Sequence, residues 1–132
     1  MDSNEVNRYA TSIERQIRDR ENYETPDDGR EWRDARTPGG RDIEIKSALR
    51  ERATGRAGRF RVFRGPHTTL SSRRGAYHFV VYRQRGRGAE IVADKTVRAR
   101  RLQIDSWSAS DHDTRQVDGR AEQAKIPIGD LF

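Results

Sequence analysis

The chain has 132 residues, of which 32% are hydrophobic and 36% are charged. A chain of this length can bury one modest core, so we expect a single domain over residues 1–132 with a very polar surface. It contains no cysteine, which excludes disulfides, thiolate metal sites and cysteine nucleophiles. It has neither a run of about 18 apolar residues nor a signal-peptide pattern. We therefore expect a soluble, cytoplasmic protein.

The net charge of +6 is distributed unevenly along the chain. Residues 1–46 and 102–132 each carry a net charge of −3, whereas residues 47–101 carry +12. A basic segment between two acidic ones indicates a polyanionic partner, most simply nucleic acid. A GC-rich genome would also explain the excess of arginine over lysine, but not the near-absence of acidic residues from 47–101. A membrane surface is a weaker alternative, because no basic amphipathic helix with a wide apolar face is visible.

The first third of the chain predicts a helix followed by a β-hairpin. Apolar residues recur at three- and four-residue spacing over residues 3–22, as in an amphipathic helix. These residues are Val6, Tyr9, Ala10, Ile13 and Ile17. Residues 25–29 form a turn by composition. Strands at 31–36 and 42–47 then flank residues 37–40 (TPGG), which suit a tight reversal.

The remaining two thirds predict further strands and one short helix. Residues 76–82 (AYHFVVY) are apolar on both faces, as in a central strand. The other predicted segments are a basic loop at 50–58, a strand at 59–64, a helix at 66–74 beginning with Pro66, a strand at 89–97, a polar loop at 105–122 and a docked apolar tail at 126–132. The order α-β-β-β-α-β-β predicts an α/β fold with a mixed sheet and few helices.

Side chains suited to phosphodiester hydrolysis converge in the predicted hairpin. That reaction needs a cation to polarise the phosphate, carboxylates to hold the cation and a group that orients or deprotonates water. Residues i and i+2 of a strand share a face, so Glu44 and Lys46 point the same way. Symmetric pairing about the turn sets Asp34 opposite Ile43, close to Glu44. Glu14, at the edge of the helix's apolar stripe, can add a third carboxylate.

The series Glu14, Asp34 and Glu44-Ile45-Lys46 resembles the PD-(D/E)xK nuclease superfamily, which includes many restriction enzymes and the archaeal Holliday-junction resolvases. The resemblance covers roughly residues 10–95, and the segments around Asp34 and Glu44 also look like short haloarchaeal or haloviral sequences. It implies a restriction-endonuclease-like fold and a metal-dependent endodeoxyribonuclease, a hydrolase. It further implies that Asp34 and Glu44 bind Mg²⁺ or Mn²⁺, that Lys46 orients the attacking water and that Glu14 assists from behind them.

Two other residues compete with Asp34 for the first Asp of the family motif. Asp27 follows Pro26 as in the motif, but it lies in the predicted turn. Asp42 shares the face of Glu44, but it is on the same strand. We favour Asp34, although Arg33 stands where the motif has Pro. The alternatives to a working site are a solvated hairpin face with ordinary ion pairs and a decayed site. A lysine in a chain that otherwise uses arginine favours a working site.

The basic loop directly follows the strand that carries Glu44 and Lys46, so its arginines can hold the DNA backbone at the site. The predicted DNA contacts are Arg50, Arg52, Arg56, Arg59, Arg61 and His67. His67 is included because a helix N-terminus suits an anion. His78 is expected to be buried and hydrogen-bonded, and His112 to lie in a solvated turn. We also expect a homodimer, because two cuts in a duplex need two sites.

Two further functions remain open. One is a non-catalytic DNA-binding module of the same fold, which a test for metal-dependent cleavage distinguishes from a nuclease. The other is a basic RNA-binding protein. Surface aromatic residues that would stack on RNA bases are scarce, because Phe60, Phe63, Tyr77 and Phe79 are expected to be buried.

Overall fold

The structure is a computed structural model that describes residues 3–26, 33–109 and 122–132. Its helices are α1 (Ser3–Glu21) and α2 (Arg64–Ser72), and 3₁₀ turns span Ala99–Arg101 and Ile128–Asp130. Its strands are β1 (Ala35–Arg36), β2 (Asp42–Leu49), β3 (Arg59–Phe63), β4 (Ala76–Arg85), β5 (Gly88–Arg98), β6 (Ser108–Ala109) and β7 (Glu122–Pro127). The side chain of Val6, Asp27, His112 and most of the predicted loop at 105–122 lie outside the described residues. No helix in the described part of the chain combines the length and apolarity needed to cross a bilayer.

The main sheet has the strand order β1-β2-β4-β5. β2 runs parallel to β4, whereas the β1–β2 and β4–β5 pairs are antiparallel, so the predicted mixed sheet is confirmed. Parallel neighbours need a long crossover, and β3 with α2 supplies it here. Ala76–Tyr82 of β4 is buried throughout, as the sequence predicts for a strand with neighbours on both sides.

Two apolar clusters cover the two faces of the main sheet. Tyr9, Ile13 and Ile17 of α1 pack against Ile43 and Ile45 on one face. On the other face, the cluster contains Phe60, Val62, Leu70, Tyr77 and Phe79 from β3, α2 and β4. Because side chains alternate along a strand, the side chains of Glu44 and Lys46 leave β2 on the side opposite those of Ile43 and Ile45. The fold thus confirms the restriction-endonuclease-like α/β architecture, with an N-terminal helix on a mixed sheet.

A second sheet with the order β3-β7-β6 corrects the predicted chain order. β3 pairs with β7 instead of joining the main sheet. The predicted tail therefore docks as a strand that starts at Glu122, four residues before the predicted segment. Buried Ala124 and Ile126 flank exposed Lys125, and this alternation was the overlooked signal for a strand. In α2, Pro66 occupies the third position instead of the first. The first four N–H groups of a helix have no acceptor within the helix, so proline is tolerated there as well.

The hairpin register differs by one residue from the symmetric pairing. Ala35, and not Asp34, pairs with Ile43, while Arg36 pairs with Asp42. The connection has five residues, closed by the Thr37 N–H donating to the Arg41 oxygen at 2.8 Å. Gly40 takes φ of +94° within it, a left-handed conformation that glycine adopts without strain. Asp34 consequently lies just before β1, and its side chain is free to turn towards β2.

Candidate active site

The site lies along the edge of β2 that β1 leaves open. β1 pairs only with Asp42 and Ile43, so the β2 backbone beyond them has no strand partner on that side within the described residues. Asp34 takes this place: its main-chain N–H donates to the Ile43 oxygen at 2.8 Å, and its Oδ2 accepts from the Ile45 N–H at 2.9 Å. The Asp34 carboxylate is therefore fixed at the middle of β2.

Glu44 and Lys46 form an ion pair on one face of β2, with Nζ 3.1 Å from Oε1. Glu44 is only 6% exposed. Lys46 lies over the Phe63 ring, 5.8 Å from its centroid. Their register partners on β4 are Tyr77 and Phe79, which are both buried. One wall of the site is therefore aromatic, and it fixes the Lys46 ammonium between a carboxylate and a ring.

Burial dominates the electrostatics of the three carboxylates. It raises the pKa of Glu44 to about 7, opposed by Lys46 and reinforced by Asp34. It also raises the pKa of Asp34, against the Ile45 N–H and Lys46. The pKa of Glu14 rises to about 7 through burial and then through the charge of Asp34. Burial therefore favours the neutral form of each carboxyl group, and the nearby Lys46 and Arg18 do not offset this effect.

Glu14 reaches the same site from α1. Its Oε2 lies 3.8 Å from Nη1 of Arg18, one turn further along the helix. Arg18 lowers the pKa of both Glu14 and Asp34, so it belongs to the site although the sequence analysis did not include it. The i, i+4 spacing of Glu14 and Arg18 was the available signal. The site therefore combines three carboxylates with Lys46 and Arg18.

Asp42, one alternative for the first Asp of the motif, is balanced by arginines. Its carboxylate forms an ion pair with buried Arg33 and lies 3.5 Å from Nε of Arg36 and 3.4 Å from Nε of Arg73. A carboxylate surrounded in this way has little charge left for a cation. The other alternative, Asp27, lies outside the described residues.

A second group of metal-type side chains lies elsewhere, at Glu21, His78 and Asp94. One potential ligand atom of each lies within 4.8 Å of the others. A guanidinium already occupies this place: Nη2 of Arg20 lies 2.5 Å from Oδ2 of Asp94 and 3.2 Å from Oε1 of Glu21. His78 is buried, with Nδ1 2.9 Å from the Tyr23 hydroxyl and Nε2 2.6 Å from Asp94 Oδ2. We therefore regard this group as a structural polar network.

The basic residues predicted to contact DNA lie on the loop after β2 and on β3. Arg50, Arg52, Arg56 and Arg59 are exposed, and Arg61 is half-buried. Ion pairs among the described residues include none of these five. Arg59 and Arg61 alternate with buried Phe60 and Val62. The sequence therefore turns their guanidinium groups outwards, where an anion can reach them.

His67 lies in the first turn of α2, half-buried against Tyr77. The two rings stack with centroids 5.7 Å apart and an interplanar angle of 7°, and Nδ1 lies 2.8 Å from the Tyr77 hydroxyl. Burial lowers the pKa of His67, so the imidazole is neutral at pH 7. A contact between His67 and a phosphate stays a prediction, and it would use Nε2 as a neutral donor.

Comparison with known proteins identifies the family. A family model described as a PD-(D/E)XK nuclease superfamily domain matches residues 1–132. The chain belongs to the PD-(D/E)XK nuclease superfamily. No curated protein and no solved structure gives a significant match. The predicted resemblance is confirmed and covers more of the chain than residues 10–95. This PD-(D/E)XK domain has a nuclease-type function, with nucleic acid as the substrate class.

Proposed function

We propose that this PD-(D/E)XK domain is a metal-dependent endodeoxyribonuclease, with Asp34 and Glu44 as ligands of Mg²⁺ or Mn²⁺. One observation carries the proposal: three carboxylates with raised pKa values, buried Glu44 and half-buried Asp34 and Glu14, meet beside a single lysine at an open strand edge. The donor atoms are all carboxylate oxygens, which hard divalent cations prefer. Such a cation would favour the ionised form of these carboxylates, which burial disfavours. The donor set therefore fits the metal that the family implies.

Each side chain has a separate role in the proposed reaction. When bound, the cation polarises the phosphate and stabilises the charge that develops on it. Lys46, held by Glu44 and by the Phe63 ring, orients the attacking water and adds positive charge beside the phosphate. Glu14 does not need to touch the substrate. The Glu14 carboxylate interacts electrostatically with Asp34 and Lys46, and it thereby tunes the charge of these two side chains.

DNA as the polyanion is supported by the charges outside the site. Arg61 on β3 is paired directly with Lys125 on β7. Like charges directly opposite each other destabilise a sheet, and a bound phosphate backbone would remove that repulsion. Phe60, Tyr77 and Phe79 are buried, so they cannot stack on unpaired RNA bases. This arrangement favours phosphate contacts along a duplex over base stacking.

We further propose that the protein is a homodimer and acts in the cytoplasm. Each protomer contains one set of Glu14, Asp34, Glu44 and Lys46, and cutting both strands of a duplex needs two sets in opposite orientations. A two-fold symmetric dimer provides this arrangement most simply. Sedimentation with and without a duplex would show whether the protein is a dimer before it meets its substrate.

The decisive test is a cleavage panel over duplex, flap, four-way junction and single-stranded DNA, with RNA as a further substrate. Each substrate is incubated with Mg²⁺, Mn²⁺ or EDTA. Cleavage of DNA that needs the metal supports the proposal. Binding without cleavage of any substrate would favour the non-catalytic DNA-binding module, and preference for RNA would favour the RNA-binding alternative.

Binding is tested separately from cleavage by reversing the charge of Arg52, Arg56 and Arg59 together. Affinity should fall on all sequences alike, and the salt dependence should flatten by about one unit for each lost phosphate contact. The matched control reverses three other exposed arginines, Arg8, Arg15 and Arg100. Equal effects of the two triple variants would mean that net charge alone governs binding.

A further inference from the structure

A pocket of about 480 Å³ lies where β2 and β4 end side by side. The loop after β2 contributes Arg50, Glu51 and Arg52 to its lining, and the end of β4 contributes Arg83 and Gln84. Because β2 and β4 are parallel, both strands deliver these side chains to the same end of the sheet. The pocket thus joins the predicted basic loop to the end of β4, which carries none of the predicted DNA contacts.

The loop that forms this pocket is held by its own backbone. The Arg50 N–H donates to the Tyr82 oxygen at 2.8 Å, and the Arg52 N–H donates to the Arg56 oxygen at 2.7 Å. At its far end, the Gly58 N–H donates to the Leu49 oxygen at 2.8 Å. A Cβ on Gly58 would lie only 2.6 Å from that same oxygen, so this close approach requires glycine. A loop fixed in this way loses little conformational freedom when a ligand binds.

The charges of the pocket fit a phosphate group. Arg50 and Arg52 are exposed and take part in no ion pair with the residues that the structure describes. Arg83 forms an ion pair with Glu90, with Nη2 3.2 Å from Oε2. Glu51 adds one negative charge to the lining of the pocket. Two uncommitted guanidinium groups on a rigid frame are suited to the bidentate recognition of phosphate oxygens.

The position of the pocket relates it to the active site. Arg50 follows Lys46 by four residues along nearly straight β-strand, which places it about 13 Å further on. We infer that the pocket is a subsite for a backbone phosphate of the nucleic acid being cut, a few nucleotides to one side of the cleaved bond. This inference rests on the proposed nuclease function. If the duplex runs along β2, the separation is roughly four nucleotides, at about 3.4 Å of helix axis each.

The experiment uses a series of duplexes with one defined cleavage position, each of which carries a single charge-neutral methylphosphonate linkage at a different place. Affinity is measured in EDTA by fluorescence anisotropy, and cleavage is measured in Mg²⁺. For the wild type, the neutral linkage should weaken binding by about tenfold or more at one or two neighbouring positions on one side of the cut, as expected for losing one charge-assisted contact. In the variant with Arg50→Ala and Arg52→Ala, the same linkage should not weaken binding further, because the change in the protein and the change in the DNA remove the same interaction.

Arg100→Ala is the matched control, since Arg100 is exposed on the 3₁₀ turn at the opposite end of the sheet. Its profile along the duplex should keep the wild-type shape. A flat wild-type profile, or a profile that survives the loss of Arg50 and Arg52, would overturn the subsite. The binding arm needs no catalysis, so a wild type that never cleaves would defeat the nuclease proposal while the EDTA profile still decides the subsite.

Discussion

The protein contains two groups of acidic side chains that resemble metal sites, and their charges are balanced in opposite ways. In the group around Asp34 and Glu44, burial raises the pKa values of the carboxylates. In the group around His78 and Asp94, the hydrogen bond from Arg20 holds the pKa of Asp94 below its usual range, with further help from His78. The second group has the tighter cluster of potential ligand atoms, but an arginine fills its centre.

This contrast shows that proximity of ligand atoms is a poor guide to a cation site unless charge balance is considered with it. Asp94 is neutralised by Arg20, Asp42 by three arginines, and Glu90 by Arg83 and Arg85. The three carboxylates around Glu44 instead share Lys46 and Arg18, which do not offset the effect of burial on their pKa values. A group in which burial disfavours the ionised carboxylates is the one whose charge a divalent cation would stabilise most.

The largest expected effect is on the cleavage rate, which should depend on the group around Asp34 and Glu44 and not on the group around His78 and Asp94. Glu44→Gln and Lys46→Met should each lower the cleavage rate about 10³-fold or more, because they remove charge that acts in the transition state. Both should bind DNA about as well as the wild type, since binding relies on the arginines. Asp94→Asn should stay within about threefold of wild type at a temperature where it is folded. Equal rates for wild type and Glu44→Gln would place the catalytic site elsewhere.

The second effect is on stability, and it should have opposite signs in the two groups. Without metal at pH 8, Glu44→Gln removes a buried charge and should stabilise the fold by at most about 3 kcal/mol, given 1.36 kcal/mol for each unit of pKa shift. Asp94→Asn removes the negative charge that pairs with Arg20 and with buried His78, and it should destabilise the fold by about 1–3 kcal/mol. Urea unfolding monitored by tryptophan fluorescence measures both. Changes of the same sign would contradict the contrast.

The pH dependence of stability gives a related effect. Glu14 and Glu44 have pKa values of about 7 in the folded protein against an ordinary value of 4.5. Between these pH values the unfolded chain ionises first and binds fewer protons than the folded chain, so stability must fall as pH rises from about 4.5 to 7. Thermal unfolding in EDTA across this range measures the slope. Glu44→Gln should reduce it, and saturating Mg²⁺ should flatten it by stabilising the ionised form.

The smallest expected effect concerns cation binding at the second group. Glu21→Gln should leave Mn²⁺ affinity unchanged, because Arg20 already serves that carboxylate. Asp34→Asn should weaken Mn²⁺ binding at least tenfold, a typical loss when a carboxylate ligand of a hard cation is removed. Titration followed by electron paramagnetic resonance compares the two variants directly. If Glu21→Gln weakened Mn²⁺ binding as much as Asp34→Asn, the group at Glu21 and His78 would be the metal site.

Much of the candidate site could be predicted because its geometry is local. The alternation of β2 puts Glu44 and Lys46 on one face whatever surrounds the strand. The apolar stripe of α1 turns Glu14 towards the sheet, and the short hairpin brings Asp34 back to β2. The register was wrong by one residue, because composition does not show that Gly40 lengthens the turn. Asp34 still reaches the Ile45 N–H, since a side chain spans the difference.

By itself, the sequence determined the helix, the strands of the main sheet, the nuclease motif and the basic segment that follows it. These features depend on residues that are close along the chain, so periodicity and spacing reveal them. Only the tertiary structure decided which carboxylates are buried beside one another and which are paired with distant arginines. Arg20 reaches Asp94 across 74 residues, and Arg73 reaches Asp42 across 31. Such long-range pairs leave no local pattern, because a surface arginine and a neutralising arginine look alike in sequence and differ only in what folding places beside them.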